Sequence, residues 1–250
     1  MELRIPVGPD ELWTEHLAGD GVPIVLLHPG IGDSRVWDLV VPGLDGRRLV
    51  RYDVRGYGRS SAPTTEFSLL DDLVTVLDQL ALDRVQLVGC SMGGSTALSL
   101  ALTHPERVHS LVLLCPGLPG FPWPEEPELD AQFEALAAKR DVNGMVSLGL
   151  QIWAAAGDDP AARAQLEAAA PAWLHQDAFL KPDPPVYDRL TEVKAPTAVM
   201  VGDKDRPILA AVAGAIVARI PNAEFIWLPG ADHLPSLRTP QQVTETILRY

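Results

Sequence analysis

The sequence predicts an α/β fold in which helices cover both faces of a mostly parallel, eight-stranded sheet. Short apolar runs alternate with helical patterns in residues 1–116 and again in residues 190–250. Between these segments the pattern changes, and ten of the 23 prolines fall within residues 116–185. We therefore predict one core domain formed by residues 1–116 and 190–250, into which residues 117–189 are inserted.

The first predicted strands lie before residue 60. Residues 3–7 and 12–18 are predicted to form an opening hairpin. Residues 23–28 (PIVLLH) are almost entirely apolar and end at a Pro-Gly pair, which is typical of a strand buried on both faces. Residues 47–56 form the next strand and end in a glycine-rich turn.

The first helix is predicted to start after Ser68. Asp71 follows this serine by three residues, which approximates a capping box. The apolar residues of the helix share one face: Leu69, Leu73, Val76, Leu77 and Leu80.

The remaining elements continue the alternation of strands and helices. Strands are predicted at residues 84–89, 108–115, 196–202 and 223–230. Helices are predicted at residues 92–104, at residues 208–220, and from Pro240 after the cap residue Thr239. Within the insertion, alanine-rich helices are predicted at residues 129–140, 145–155 and 161–169.

Charge and composition exclude several classes of protein. The formal net charge of −13 repels nucleic acids and anionic lipid surfaces, so neither is expected as a partner. The sequence contains no run of about 18 apolar residues, so no transmembrane helix is predicted. The N-terminus lacks the pattern of a signal peptide. We therefore expect a cytoplasmic location. The two cysteines, Cys90 and Cys115, follow apolar runs and are predicted to be buried without a disulfide.

A G-x-S-x-G motif lies where the strand at residues 84–89 meets the helix at residues 92–104. The motif reads GCSMG, and its serine is Ser91. A sharp turn strains the serine backbone, and side chains two positions before and after would collide with it, so glycine is expected at Gly89 and Gly93. The serine hydroxyl would stand at a helix N-terminus, which favours developing negative charge. The alternative is a Gly-Ser-rich turn without chemistry.

A serine hydroxyl needs a base within hydrogen-bond reach, and the base needs an orienting acid. His233 follows the last predicted strand, at the sheet edge where ligands of open parallel sheets bind, and is the predicted base. Asp205 follows the preceding strand and is the predicted acid, with Asp203 in the same loop as the alternative. Four other histidines are expected to be structural or solvated: His16, His104, His109 and His175.

Together these segments resemble the α/β-hydrolase superfamily nearly from end to end. The resemblance is carried by residues 28–32, 53–60 (DVRGYGRS), 89–93, 202–205 and 232–233. It implies the α/β-hydrolase fold, a helical cap formed by residues 117–189, and the chain order serine, aspartate, histidine for the catalytic residues. Within the DVRGYGRS segment, Arg55 and Arg59 are expected to be structural.

The loop after residues 23–28 begins at His28, reads HPGIGDSRVW and resembles the His-Gly loop that supplies a backbone N–H to the oxyanion in this superfamily. Because Pro29 has no N–H, the donor must be Gly30 or Ile31. Alignment with the family's Gly-X pair makes Ile31 the first choice and Gly30 a close second. Met92, directly after the serine, is expected to supply the other donor.

The resemblance also places the insertion over the active site. Its aromatic residues would either line an acyl pocket or bury the cap on the core: Phe121, Trp123, Trp153, Trp173 and Phe179. We predict Gly30, Trp123 and Trp153 as residues of the substrate pocket.

A serine in the motif favours acyl transfer, since superfamily members that act on haloalkanes or epoxides carry an aspartate there. The sequence has neither H-E-x-x-H, nor a Cys/His cluster, nor G-x-G-x-x-G, so we expect no metal and no cofactor. We predict a hydrolase that cleaves a small carboxylic ester or lactone through an acyl-enzyme. The alternatives are a carbon–carbon bond hydrolase of ring-cleavage products and a non-catalytic receptor or scaffold. The sequence leaves open whether the protein is a homo-oligomer.

Overall fold

A computed structural model describes residues 1–175 and 178–250. At its centre is one eight-stranded sheet with the order β1-β2-β4-β3-β5-β6-β7-β8. The strands are β1 Glu2–Val7, β2 Asp10–Leu17, β3 Asp20–Leu27, β4 Arg47–Tyr52, β5 Val85–Cys90, β6 Val108–Leu114, β7 Thr197–Gly202 and β8 Ala223–Leu228. β2 pairs antiparallel with β1 and β4, whereas all other neighbours pair parallel. The predicted α/β fold with its opening hairpin is therefore confirmed.

Helices connect the parallel strands. They are α1 Leu69–Gln79, α2 Met92–Thr103, α3 Pro127–Ala138, α4 Val142–Trp153, α5 Pro160–Trp173, α6 Pro207–Val217, α7 Pro235–Arg238 and α8 Pro240–Arg249. The hydroxyl of Ser68 accepts a hydrogen bond from the N–H of Asp71 (3.1 Å), so α1 starts as its capping pattern predicts. Every residue of β5 and β7 is buried, as expected for strands covered on both faces.

The insertion, residues 117–189, contributes α3, α4 and α5, and each begins earlier than the sequence predicted. Pro127 and Pro160 occupy first helical positions, where the missing N–H of proline costs nothing. Asp141 and Asp159 cap α4 and α5, because each carboxylate accepts the N–H of the third residue after it. The three helices begin earlier than predicted because these prolines and capping residues come before the apolar residues that show the helical period.

Two further helix predictions were incomplete. α5 continues to Trp173, past its predicted end at residue 169, with Pro171 in its last turn. The sequence did not predict α7, because a helix of four residues is too short to show a helical period. The division of the chain into a core domain and a cap stays a prediction.

The parallel strands bring their carboxyl ends to one edge of the sheet. β3 ends at Leu27, β5 at Cys90, β7 at Gly202 and β8 at Leu228. The loops that follow these four ends carry the residues predicted to bind the oxyanion, the nucleophile, the acid and the base, in that order. The topology therefore gathers residues that are far apart in sequence.

Two arginines of the DVRGYGRS segment stabilise the region beside this edge. The side chain of Arg55 is 7% exposed and forms ion pairs with the buried carboxylates of Asp10 (3.0 Å) and Asp72 (2.6 Å). Arg59 stacks on the ring of Trp13 and is 44% exposed. Both make contacts within the protein, as their predicted structural role requires.

We expect Arg55→Met to lower the free energy of unfolding by about 3 kcal/mol, because it leaves two buried carboxylates without a cation. Arg59→Met, the matched control at an exposed position, should cost less than about 1 kcal/mol. Urea denaturation of both variants measures the difference. Equal stability of the two variants would contradict a structural role specific to Arg55.

Candidate active site

Ser91 lies in the turn between β5 and α2 with a strained backbone. Its φ of +49° and ψ of −109° are sparsely populated by residues other than glycine. Backbone hydrogen bonds hold this conformation: the N–H of Ser91 donates to the carbonyl of Leu114, and its carbonyl accepts from Ser95 and Gly117, all at 3.0 Å. The hydroxyl is consequently fixed at the first turn of α2, where the helix dipole favours negative charge.

The structure gives a reason for the two glycines that differs from the predicted collision with the serine. A Cβ on Gly89 would lie 2.4 Å from the carbonyl oxygen of Gly93. A Cβ on Gly93 would lie 2.3 Å from the carbonyl oxygen of Leu27, at the end of β3. The glycines therefore allow α2 to pack against β5 and β3, rather than making room for the serine side chain.

Ser91, His233 and Asp205 form a chain of hydrogen bonds. Nε2 of His233 lies 2.9 Å from Oγ of Ser91, and its Nδ1 lies 2.8 Å from Oδ2 of Asp205. Since a carboxylate only accepts, the proton on the ring belongs on Nδ1, which leaves Nε2 free to accept the serine proton. The other oxygen of Asp205 accepts the N–H of Arg206 (2.7 Å).

Asp203, the alternative acid, has a different partner. Its Oδ1 accepts the N–H of Gly230 at 2.7 Å, in the exposed turn after β8. Within residues 1–175 and 178–250, it makes no hydrogen bond to His233. The geometry therefore favours Asp205 as the orienting acid.

The loop of His233 is fixed by a neighbouring acid to which the sequence analysis assigned no role. Asp232 is fully buried, and its carboxylate accepts hydrogen bonds from Leu234 N, Ala156 N and Arg238 Nε, each at 3.0 Å. The N–H of His233 itself donates to the carbonyl of Trp153 (3.2 Å). Contacts with both the sheet edge and the insertion therefore hold the backbone of His233 in place.

Both cysteines lie beneath this histidine, buried and free as predicted. Their Sγ atoms are 3.8 Å apart, and both approach the carbonyl oxygen of His233. Ligand atoms of Cys115, Asp205 and His233 lie within 4.8 Å of one another. Burial raises the pKa of the Cys115 thiol, so it stays protonated and is a poor metal ligand.

The loop after β3 is ordered by the buried ring of His28. Nδ1 of His28 donates to the carbonyl of Pro29 (2.9 Å), which also accepts the N–H of Gly32 (3.3 Å). Nε2 of His28 accepts the N–H of Val54 (3.0 Å). Burial lowers the pKa of His28, which keeps the ring neutral and able to make both bonds.

Carbonyl partners in this loop indicate where its N–H groups point. In a trans peptide the N–H is directed opposite to the C=O, and the described residues contain no cis peptide. The Pro29 carbonyl faces the buried ring of His28, so the N–H of Gly30 points away from the core. The Gly30 carbonyl accepts from Nε1 of Trp173 (2.7 Å) on the insertion, so the N–H of Ile31 points away from the insertion.

These orientations favour Gly30 over Ile31, the first choice from sequence, as the oxyanion donor. Gly30 also packs on Met92: a Cβ on Gly30 would lie 3.6 Å from the sulfur of Met92. Among the described residues, the N–H groups of Gly30, Ile31 and Met92 all lack a hydrogen-bond acceptor, so only their direction separates Gly30 from Ile31. Gly30 therefore lies against Met92, the residue directly after Ser91.

A cavity of about 460 Å³ is formed almost entirely by residues of the insertion. It is lined by Glu126, Leu129, Asp130, Phe133, Glu134, Ala137, Met145, Trp153, Trp173 and Arg206. Ser91, His233 and Gly30 do not line it, but three lining residues adjoin the site: Trp173 donates to the Gly30 carbonyl, the Trp153 carbonyl accepts from His233, and Arg206 follows Asp205.

Of the predicted pocket residues, Trp153 lines this cavity, whereas Gly30 does not and only accepts a hydrogen bond from the lining residue Trp173. Trp123 does not line it: the residue is 42% exposed and its Nε1 donates to the carbonyl of Leu118 (3.3 Å). Phe133 takes the place expected for Trp123, with its ring centroid 5.7 Å from that of Trp153. As the aromatic residue of the predicted helix at residues 129–140, Phe133 could have been singled out.

Comparison with known proteins identifies the family. Residues 22–159, more than half of the chain, match the profile of the α/β hydrolase fold family. A pimeloyl-[acyl-carrier protein] methyl ester esterase of Aeromonas hydrophila is 30% identical over 246 residues, which cover 92% of this chain and 95% of that protein. This chain therefore belongs to the α/β hydrolase fold family, as the resemblance implied.

Two further similarities bear on the activity. The 2-hydroxymuconate semialdehyde hydrolase of Pseudomonas sp. strain CF600 is 40% identical over 124 residues, covering 46% of this chain and 43% of that protein. The solved structure of Est816, described as an N-acyl homoserine lactone degrading enzyme, has a TM-score of 0.84 and 28% identity, covering 99% of this chain and 100% of Est816. In the part of the chain that the structure describes, no helix is long and apolar enough to span a membrane.

We expect Asp205→Asn to lower kcat on the order of 10³–10⁴-fold, because an amide cannot hold His233 in the tautomer that accepts the serine proton. Asp203→Asn, the matched control in the same loop, should keep kcat within about threefold, since only an exposed turn loses a bond. Steady-state kinetics on an activated ester measure both values. The reverse ranking would make Asp203 the acid.

The N–H donors can be tested by replacing single amides with backbone esters, using α-hydroxy acids incorporated at residues 30 and 31. An ester at residue 30 should lower kcat by about 10²–10³-fold, because one oxyanion donor is lost. The same change at residue 31 serves as the control and should have a small effect. A large loss only at residue 31 would restore Ile31 as the donor.

Proposed function

We propose that this chain is a serine hydrolase that cleaves neutral carboxylic esters or lactones through an acyl-enzyme. The observation that supports it most strongly is the hydrogen-bonded series Ser91–His233–Asp205 at a strained helix N-terminus. A hydroxyl in contact with an imidazole, whose other nitrogen faces a carboxylate, is the arrangement that activates serine for attack on a carbonyl.

In the first half of the reaction, Nε2 of His233 takes the proton of Ser91 as its Oγ bonds to the substrate carbonyl carbon. The positive charge that forms on the imidazole is stabilised by Asp205, whose side chain is 1% exposed. Little water screens that interaction, so its contribution is larger than at the surface. His233 then gives the proton to the leaving alcohol, and the carbon–oxygen bond of the ester breaks.

The oxyanion that forms during attack is bound by the N–H groups of Gly30 and Met92. Both groups are fixed before substrate arrives, Met92 by α2 and Gly30 by the loop that His28 orders. Fixed donors need no reorganisation at the transition state, which is why one such donor contributes about 3–4 kcal/mol in a known hydrolase. In the second half, His233 activates water, and the acyl-enzyme is hydrolysed by the same route.

The charge of the cavity favours neutral substrates. Glu126, Asp130 and Glu134 line it on the side of α3, and Arg206 is the cation among its lining residues. Arg206 is already paired with Glu126. A substrate with a free carboxylate would therefore meet negative charge without an unpaired cation to offset it.

This charge argues against the second candidate, carbon–carbon bond cleavage in ring-cleavage products, which carry carboxylates. That candidate draws support from the similarity to the semialdehyde hydrolase of Pseudomonas, although the similarity covers less than half of either chain. The non-catalytic alternative does not explain why Ser91, His233 and Asp205 form a hydrogen-bonded series. A small-molecule ester or lactone is therefore the proposed partner, and the proposed site needs no cofactor.

The test combines labelling with a substrate panel. A fluorophosphonate should label wild-type protein but not Ser91→Ala, and failure to label the wild type would favour a receptor or scaffold. On p-nitrophenyl hexanoate, kcat/KM should exceed that on mono-p-nitrophenyl adipate, which has the same length and a terminal carboxylate, by roughly fivefold. Lactones and a dienone carboxylate complete the panel.

The double variant Asp130→Asn/Glu134→Gln should narrow the ratio between the two esters, because it removes two acids of the cavity that form no ion pair with any described residue. Glu128→Gln, on the same helix but outside the cavity lining, is the matched control and should leave the ratio unchanged. Turnover of the dienone carboxylate above that of all neutral esters would favour the carbon–carbon bond hydrolase.

A further inference from the structure

Helix α5 of the insertion lies along the oxyanion loop and touches it at two points. Nε1 of Trp173 donates to the carbonyl of Gly30 (2.7 Å), and Oε1 of Gln165 accepts the N–H of Asp33 (3.1 Å). The two side chains are eight residues apart, about two helical turns, and so project from similar sides of the helix. α5 therefore contacts this loop at both ends of the segment 30–33.

The approach is close enough to constrain the loop sequence. Gln165 is 5% exposed, and a Cβ on Gly32 would lie 2.3 Å from its Oε1. Residue 32 therefore has to be glycine for the bond between Gln165 and Asp33 to form. The contact between insertion and loop is a packed interface rather than a chance approach of two surface groups.

The start of α5 is tied to the loop of His233 as well. Arg238 forms ion pairs with Asp159, the cap residue of α5, and with the buried Asp232. Arg238 also donates to the carbonyl of Gly157 (2.6 Å). α5 is thus held at its N-terminus against the base and at its C-terminus against the oxyanion loop.

Gly30 is the residue at which such a contact has most effect. Glycine has the widest range of backbone conformations, so a donor N–H on glycine is easily misdirected. The peptide that joins Pro29 to Gly30 is fixed because the Pro29 carbonyl bonds to His28. The Gly30 carbonyl accepts hydrogen bonds from Trp173 and from the hydroxyl of Tyr57 (3.2 Å). With both of its peptide units held, the N–H of Gly30 keeps one direction.

We propose that Trp173 is a positioning residue, whose indole N–H fixes Gly30 so that the N–H of Gly30 points at the oxyanion. This inference rests on the proposed function, since it assigns a purpose to a contact beside the proposed oxyanion site. It also means that the insertion takes part in transition-state stabilisation, in addition to lining the cavity. A movement of α5 away from the sheet edge would release Gly30 and weaken that stabilisation.

The test replaces Trp173 with phenylalanine and, in a second variant, with β-(3-benzothienyl)alanine. The benzothiophene ring has the size of indole but no N–H, so it preserves packing if the phenylalanine variant fails to fold. Trp123→Phe is the matched control, because its indole N–H also donates to a backbone carbonyl in the insertion, away from the cavity. Thermal unfolding verifies that each variant is folded.

Both Trp173 variants should lower kcat by about tenfold, with KM within about twofold, because the lost bond matters for the oxyanion and not for the substrate carbonyl in the ground state. The affinity for an alkyl boronic acid, which forms a tetrahedral adduct with the serine, should fall by the same factor. Trp123→Phe should leave both quantities unchanged. A purely structural or lining role would instead raise KM or lower thermal stability without this joint loss.

Unchanged kcat and boronic acid affinity in a folded benzothienyl variant would overturn the inference, as would a rise in KM alone. Failure of the proposed function is distinguishable from this result. It would appear as wild-type protein that is neither labelled by the fluorophosphonate nor active on the panel, before any Trp173 variant is measured.

Discussion

The left-handed backbone of Ser91 is the constraint on which the site depends. To make that turn, α2 must begin directly after β5 and pass so close to β3 that residue 93 touches the carbonyl of Leu27. This closeness brings Met92 beside Gly30. The carbonyl of Ser91 also binds Gly117, so the same strained residue fixes where the insertion leaves the sheet. One unfavourable conformation thereby sets the position of the proposed nucleophile, of a proposed oxyanion donor and of the origin of the insertion.

Two buried carboxylates fix different parts of His233: one its imidazole and the other its backbone. Asp205 faces the imidazole and determines which nitrogen carries the proton, whereas Asp232 faces away and satisfies three donors around the backbone. A buried carboxylate without partners would be costly, so each of these acids stabilises only the arrangement that satisfies it. The direction of the imidazole therefore depends on contacts with the insertion as much as on the sheet.

Local patterns predicted most of the fold and the three residues in contact at the serine. Continuous apolar runs mark the parallel strands, and reactive residues directly after strand ends must meet at one edge. What the sequence left open depends on distant contacts. The choice between Gly30 and Ile31 turns on carbonyl partners, and one of these, Trp173, lies 143 residues away. The exclusion of Trp123 from the cavity in favour of Phe133 likewise depends on how α3 packs, which no local period encodes.

The insertion is held unequally along its length, and this bears on how a substrate reaches the serine. α5 buries six residues and is bonded to the loops of Gly30 and His233, whereas α3 buries none of its own and is joined to the sheet edge by the ion pair of Glu126 with Arg206. Surface ion pairs of this kind contribute little free energy. Displacing α3 would break this ion pair and the ring contacts of Phe133 with Trp153 and Trp173, but it would leave the bond between Trp173 and Gly30 intact. Displacing α5 would break contacts both to the loop that carries Asp232 and His233 and to the loop that carries Gly30. A movement of α3 would therefore change the shape of the cavity without disturbing the loop of Gly30, whereas a movement of α5 would disturb both.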